Sequence, residues 1–208
     1  MVKKAKDSFY EKYNMKWVLL ITLWTFMLAI GFSLVSENLV RKLDVLFAFI
    51  LLLLIISVGV VFDIIGIAVT ASNERPFHSM AANKIDEART AIKLVRNSSQ
   101  VSNFCNDVIG DISGIISGAV ATSIIFRLVP IMGLKNGTLL TIVLTGFTAS
   151  LTVGGKGIGK AIANYHHDEI ILKVAKVVYL GEKFFNVEIF KNKKKLKNNP
   201  KKDKVKEK

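Results

Sequence analysis

Four long apolar stretches limit what this chain can fold into: residues 17–35, 45–70, about 102–131, and 138 to about 162. Each is long enough to cross a hydrocarbon core, which takes about 20 helical residues. The fourth is interrupted by glycines and lysines in its second half, so four crossings are expected with the last one irregular. The chain is 51% hydrophobic and yet carries a net charge of +13, so apolar and basic segments must be segregated along it. An all-α, polytopic membrane protein follows.

The first apolar stretch follows a basic region, as a signal peptide does. It is longer than a usual h-region of about 7 to 15 residues, and no A-x-A-like site follows it in LVSENLVRKL. An uncleaved transmembrane anchor over 17–35, behind a basic tail at 1–16, is the better reading. Lysine and arginine set orientation, because short loops rich in them stay on the cytoplasmic side. They are dense in the N-terminal tail, in the 71–102 loop and after Asn164, and sparse in the other two loops, which hold Arg41, Lys42 and Lys135. A multi-pass protein of the cell membrane with both termini cytoplasmic fits that alternation.

Between the second and third crossings, Ile85, Ala88, Ile92 and Val95 recur at helical spacing, with Lys84, Arg89, Lys93 and Arg96 alongside. The pattern predicts an amphipathic helix near 84–97, either lying on the membrane interface or packed on protein as a connector. The final segment, 181–208, is polybasic and too poor in apolar residues to fold alone, so it is expected to be largely disordered. Its expected partners are the lipid bilayer and anionic lipid. A lysine run also suits nucleic acid, but no nucleic-acid-binding module accompanies it, and none is expected as a partner. The single cysteine, Cys105, excludes a disulfide or a cysteine-rich metal site within one chain.

GGKGIGKAIAN at 154–164 approaches the phosphate-loop pattern, but Ala161 stands where Ser or Thr would ligate magnesium. The apolar run before it is also too long for a strand. Within a membrane such glycines signal close backbone approach or a locally unwound helix. Asp63, Asp107 and Asp111 fall inside the apolar stretches, where an aspartate at the helix centre costs about 2.5–3.5 kcal/mol. Asp63 shares a helical stripe with Gly59, Gly66 and Thr70. Asp107 and Asp111 stand one turn apart, in line with Gly114 and Gly118, and Gly110, Gly114 and Gly118 form a small-residue face. Intramembrane acids pair with a cation, a metal or a shared proton, and oxygen ligands suit hard cations such as Mg²⁺. The alternative is that Lys156 neutralises one aspartate and the others lie near headgroups. At 165–169, YHHDE is read as helix-start chemistry for Asp168 and Glu169, because adjacent residues on a helix cannot close around one metal.

In order and spacing, FDIIGIA at 62–68, DEARTAIKLVRNSS at 86–99, CNDVIGD at 105–111 and GKGIGKAIA at 155–163 resemble the transmembrane domain of the CNNM (cyclin M, CorC/CorB-type) family. The likeness covers residues 45–180. It implies a three-helix core with an interfacial helix, the N-terminal helix being an addition, and a homodimer. By the same resemblance the chain is a magnesium-class divalent cation exporter or transporter, coupled to Na⁺ or H⁺; an enzyme is not expected, since no nucleophile with a positioned base is apparent in the sequence. Mg²⁺ is then cargo, and no cofactor is expected. Asp63 stands in place of a family serine, Asp107 and Asp111 in place of two asparagines, and Lys156 in place of a glutamate in a broken-helix motif. Asp63, Asp107 and Asp111 thus become the metal ligands and Lys156 a modulating charge. The other reading is a non-transporting membrane scaffold in which Lys156 fills the former cation site.

Overall fold

The computed structural model describes residues 15–133 and 137–185. Residues 1–14 of the N-terminal basic tail, Lys135, and residues 186–208 of the polybasic segment lie outside the described residues, whereas residues 181–185 of that segment, expected to be disordered, continue the last helix. All regular structure described is helical: α1 (Met15–Lys42), α2 (Val45–Ala71), α3 (Glu74–Ala82), α4 (Asp86–Arg96), α5 (Ser98–Ser102), a π-helical stretch (Asn103–Gly110), α6 (Asp111–Ile131), α7 (Thr138–Tyr165) and α8 (His167–Phe185). Four runs are long and apolar enough to span a membrane: Val18–Lys42, Val45–Ala71, Ser98–Ile131 and Thr138–Tyr165. The chain is an all-α, polytopic, membrane-type protein.

α2 is the central helix, packing against α6, α7, the π stretch, α5 and α8. Lipid tails are as apolar as leucine, so helices in a bilayer are held by close packing at small residues rather than by burial from water. α2 carries two such seams on adjacent faces. On one, Val60 and Ile64 receive α7 at Gly155 and Gly159: a Cβ on Gly155 would stand 2.9 Å from Val60 Cγ2, and one on Gly159 2.7 Å from Ile64 Cγ1. On the other, Gly59 abuts Ser113, and Gly66 is filled by the Asn106 carboxamide, which occupies the space any side chain at 66 would need.

The sequence placed backbone irregularity in the fourth crossing, and the structure moves it. α7 runs unbroken through GGKGIGK for 28 residues. Two of its glycines, Gly155 and Gly159, serve close approach to α2, which needs no unwinding. The distortion lies in the third crossing, where eight residues, NFCNDVIG, are π-helical between α5 and α6. Inside a longer helix such a widened turn is often found at functional sites.

Two apolar clusters lie on either side of the polar layer around Asp63. The first joins Ala48, Leu52 and Ile56 of α2 with Ile112, Ile116, Val120 and Ile124 of α6, Val40 of α1 and Leu144 of α7. The second joins Ala68 and Val69 of α2, Phe77 of α3, Ala91, Ile92 and Leu94 of α4, Ala163 of α7, and Ile171 and Ala175 of α8. The apolar stripe of α4 is therefore buried on protein. α3, which the sequence did not single out, closes against it after a reversal at Lys84, whose φ is +63°.

α1 lies along one side of the bundle and is longer than the anchor expected over 17–35. It packs on α6, and Ile21, Leu28 and Ala29 lie against the first cluster. Arg127 of α6 closes its end: Nη1 donates to the carbonyls of Val40 at 2.7 Å and Leu43 at 2.6 Å, and Nη2 to that of Arg41 at 2.8 Å. A guanidinium on the last carbonyls of a helix satisfies acceptors that have no intrahelical partner and complements the negative end of the helix dipole. Arg127→Met should lower stability by about 1.5–2 kcal/mol, read as an earlier thermal unfolding midpoint in detergent. An unchanged midpoint would show that water satisfies those carbonyls equally well.

Candidate functional site: an aspartate–lysine–aspartate cluster

The site forms where α2, α7 and the junction of the π stretch with α6 meet. Gly59, Asp63 and Gly66 lie along one buried face of α2, as their 4-3 spacing predicted. Thr70, the fourth member of that stripe, leaves it and turns its hydroxyl to the Ile67 carbonyl at 2.8 Å. Opposite this face the third crossing presents Asn106, Gly110 and Ser113. Gly110 faces the charged groups: a Cβ there would stand in ordinary contact, 3.6 Å from Lys156 Nζ and 4.0 Å from Asp63 Oδ1.

Lys156 follows Gly155 on α7, and its side chain reaches the aspartates of the neighbouring helices. Its Nζ lies 3.8 Å from Asp63 Oδ1 and 3.9 Å from Asp111 Oδ1. The three side chains differ in exposure: 8% for Asp63, 24% for Lys156 and 69% for Asp111. One ammonium thus bridges a buried carboxylate and an open one. Among the described residues two buried oxygens remain without a hydrogen-bond partner, Asp63 Oδ2 and Asn106 Oδ1. The Asn106 amide nitrogen donates to Ser102 Oγ at 3.2 Å. Buried polar atoms are normally satisfied, so such oxygens mark sites where a proton, a water or a cation would be stabilised.

The three expected ligands do not converge. Asp63 and Asp111 meet at Lys156, whereas Asp107 is exposed, with no ion pair among the described residues. Among the described residues no three His, Cys, Asp or Glu side chains come together in a metal-holding group. The stripe expected to face inward, Asp107–Asp111–Gly114–Gly118, is displaced. A Cβ at Gly114 or Gly118 would have nothing within 4 Å, and the line that meets α2 is Asn106–Gly110–Ser113. That line has its own small or polar residues at four- and three-residue spacing, a signal present in the sequence but overshadowed by the neighbouring aspartates. Asn106 was missed for that reason.

At the ends of α2 and α7, His167 Nδ1 lies 2.9 Å from Asp168 Oδ1 and 3.4 Å from Ser72 Oγ. Acid and hydroxyl share one ring nitrogen, unlike a catalytic relay, in which they occupy opposite nitrogens. Asp168 and Glu169 stand in the first turn of α8, where acids favour the positive end of the helix. On the same side of the bundle, Glu74 accepts from Arg96 Nε at 2.9 Å and lies 3.2 Å from His78 Nε2. Desolvation pushes the Glu74 carboxyl upward, but the bonds to Arg96 and His78 prevail and hold it below the usual carboxylate value.

Comparison with protein-family models, curated proteins and solved structures finds no match for this chain. The likeness to the CNNM domain rests on the four motifs between residues 62 and 163.

Proposed function

We propose that this protein is a multi-pass membrane carrier of a small cation of the Mg²⁺ class, working as a homodimer in the cell membrane with its termini cytoplasmic. Asp63 and Asp111 form the carrier site, and Lys156 is a tethered counter-charge. The observation that carries the reading is the bridged pair: one ammonium between a buried and an exposed carboxylate, with Asp63 Oδ2 buried and unpartnered. An intramembrane charge is expensive, and acids placed there usually mark an ion or proton path. Cargo would displace the Lys156 ammonium from the carboxylates, and the ammonium would return as cargo leaves, so that the buried Asp63 carboxylate always has a cation beside it. Na⁺ or H⁺ is the coupling ion in this reading.

Full-length protein in liposomes should then show Mg²⁺ or Na⁺ flux that Asp111→Ala abolishes. Flux equal to that of empty liposomes would end the carrier reading. A second reading is favoured by the unbroken course of α7 and by the amine standing within 4.0 Å of both acids. In it, Lys156 seals the site and the chain is a non-transporting membrane scaffold whose basic tail holds anionic lipid or a partner. Deleting residues 191–208 separates the two: a scaffold loses its association, and a carrier keeps its flux.

A further inference from the structure

A second polar feature lies away from the aspartate–lysine cluster and plays no part in it. α3, α4 and α8 enclose an open groove of about 660 Å³, within the size range of small-molecule sites. Arg89, Lys93 and Arg96 of α4 line one wall and Lys183 of α8 the other, with Thr90 and Tyr179 also in the lining. Like charges at four- and three-residue spacing on one helix repel, so three cations on a single face are held at some expense unless an anion joins them.

The acids nearby meet this charge in part: Asp86 and Glu182 also line the groove, and Glu182 pairs with Lys93 at 4.0 Å. Glu74 engages Arg96 through Nε, and no hydrogen bond to the terminal nitrogens of that guanidinium is made among the described residues. Arg89 and Lys183 have no ion pair among the described residues.

We propose that this groove binds a phosphate-bearing anion, its phosphate held by Arg89, Arg96 and Lys183. Guanidinium groups match phosphate oxygens in paired hydrogen bonds, and lysine adds a point charge. The lining carboxylate of Asp86 favours a ligand that also offers a hydroxyl donor. A phosphomonoester fits this chemistry whether it comes from a lipid headgroup or from a soluble ester.

The test uses the full chain in detergent, titrated separately with dioctanoyl phosphatidic acid and with AMP, and with dioctanoyl phosphatidylcholine as the uncharged comparison. Arg89→Gln/Lys183→Gln removes two groove cations, while Lys173→Gln/Lys176→Gln removes two exposed lysines of α8 that do not line it. Saturable binding weakened about tenfold by the first pair and unchanged by the second supports the site. Saturation by phosphatidic acid alone identifies a lipid source, and saturation by AMP a soluble one. No saturable binding of either probe, or equal weakening by both pairs, overturns the proposal. Both pairs replace exposed side chains, and near-wild-type thermal unfolding checks that the fold is retained.

Discussion

Lys156→Met is expected to destabilise the folded chain by about 3 kcal/mol or more, the low end of the range for removing one partner of a buried ion pair. Asp63 dictates the size of the effect, because its side chain is only 8% exposed and Lys156 is the cation beside it. Asp111 adds little, since it is mostly exposed and retains its solvation. The partial exposure of Lys156 keeps the effect at the low end. Asp63→Asn in the same background should recover most of the loss, because a neutral amide needs no counter-ion. Chemical unfolding of the single and double variants in detergent reads this directly, and additive single effects would mean that the two charges do not interact. Added Mg²⁺ discriminates between the two functional readings in the Lys156→Met protein. A carrier site regains stability as the ion replaces the ammonium, whereas a sealed scaffold gains none.

Gly159→Leu is the second large effect, expected at about 2–3 kcal/mol, the range of overpacked substitutions. A Cβ at 159 meets Ile64 Cγ1 at 2.7 Å and Ile64 Cδ1 at 3.1 Å, so a methyl group is accommodated by moving one side chain while an isobutyl group pushes the helices apart. Because Lys156 stands one turn before Gly159, that separation also draws the ammonium away from Asp63. Gly154→Leu serves as the control on the same helix, since nothing lies within 4 Å of that position. It should be neutral, or slightly stabilising through better helix propensity. If both substitutions cost the same, the α2–α7 seam is not what the glycines are for.

Several elements were legible because their signals are local. A run of apolar residues longer than a bilayer crossing has few ways to be accommodated, so the four spans emerge from hydropathy alone. The buried line Gly59–Asp63–Gly66 follows from helical spacing. The amphipathic pattern near 84–97 likewise gives α4, with Ala88 and Ile92 buried as expected. Other features were hidden because they depend on a partner surface. Glycines in α7 read equally well as helix breakers or as contact points, and only Val60 and Ile64 on the facing helix decide between them. The π-helical stretch has no comparable mark in its residues. It redirects the face of the third crossing toward Asn106 and Ser113 and leaves Asp107 outside.

By itself the sequence determined that this chain is helical, that it crosses a membrane, and that acids and a lysine lie within its apolar spans, since hydropathy and charge are properties of each segment alone. Which of those acids meet the lysine was decided only by the tertiary structure. Ion pairing requires atoms from α2, α6 and α7 within about 4 Å of one another, and that proximity is set by how closely the glycine seams let three helices approach and how far a widened turn rotates one of them.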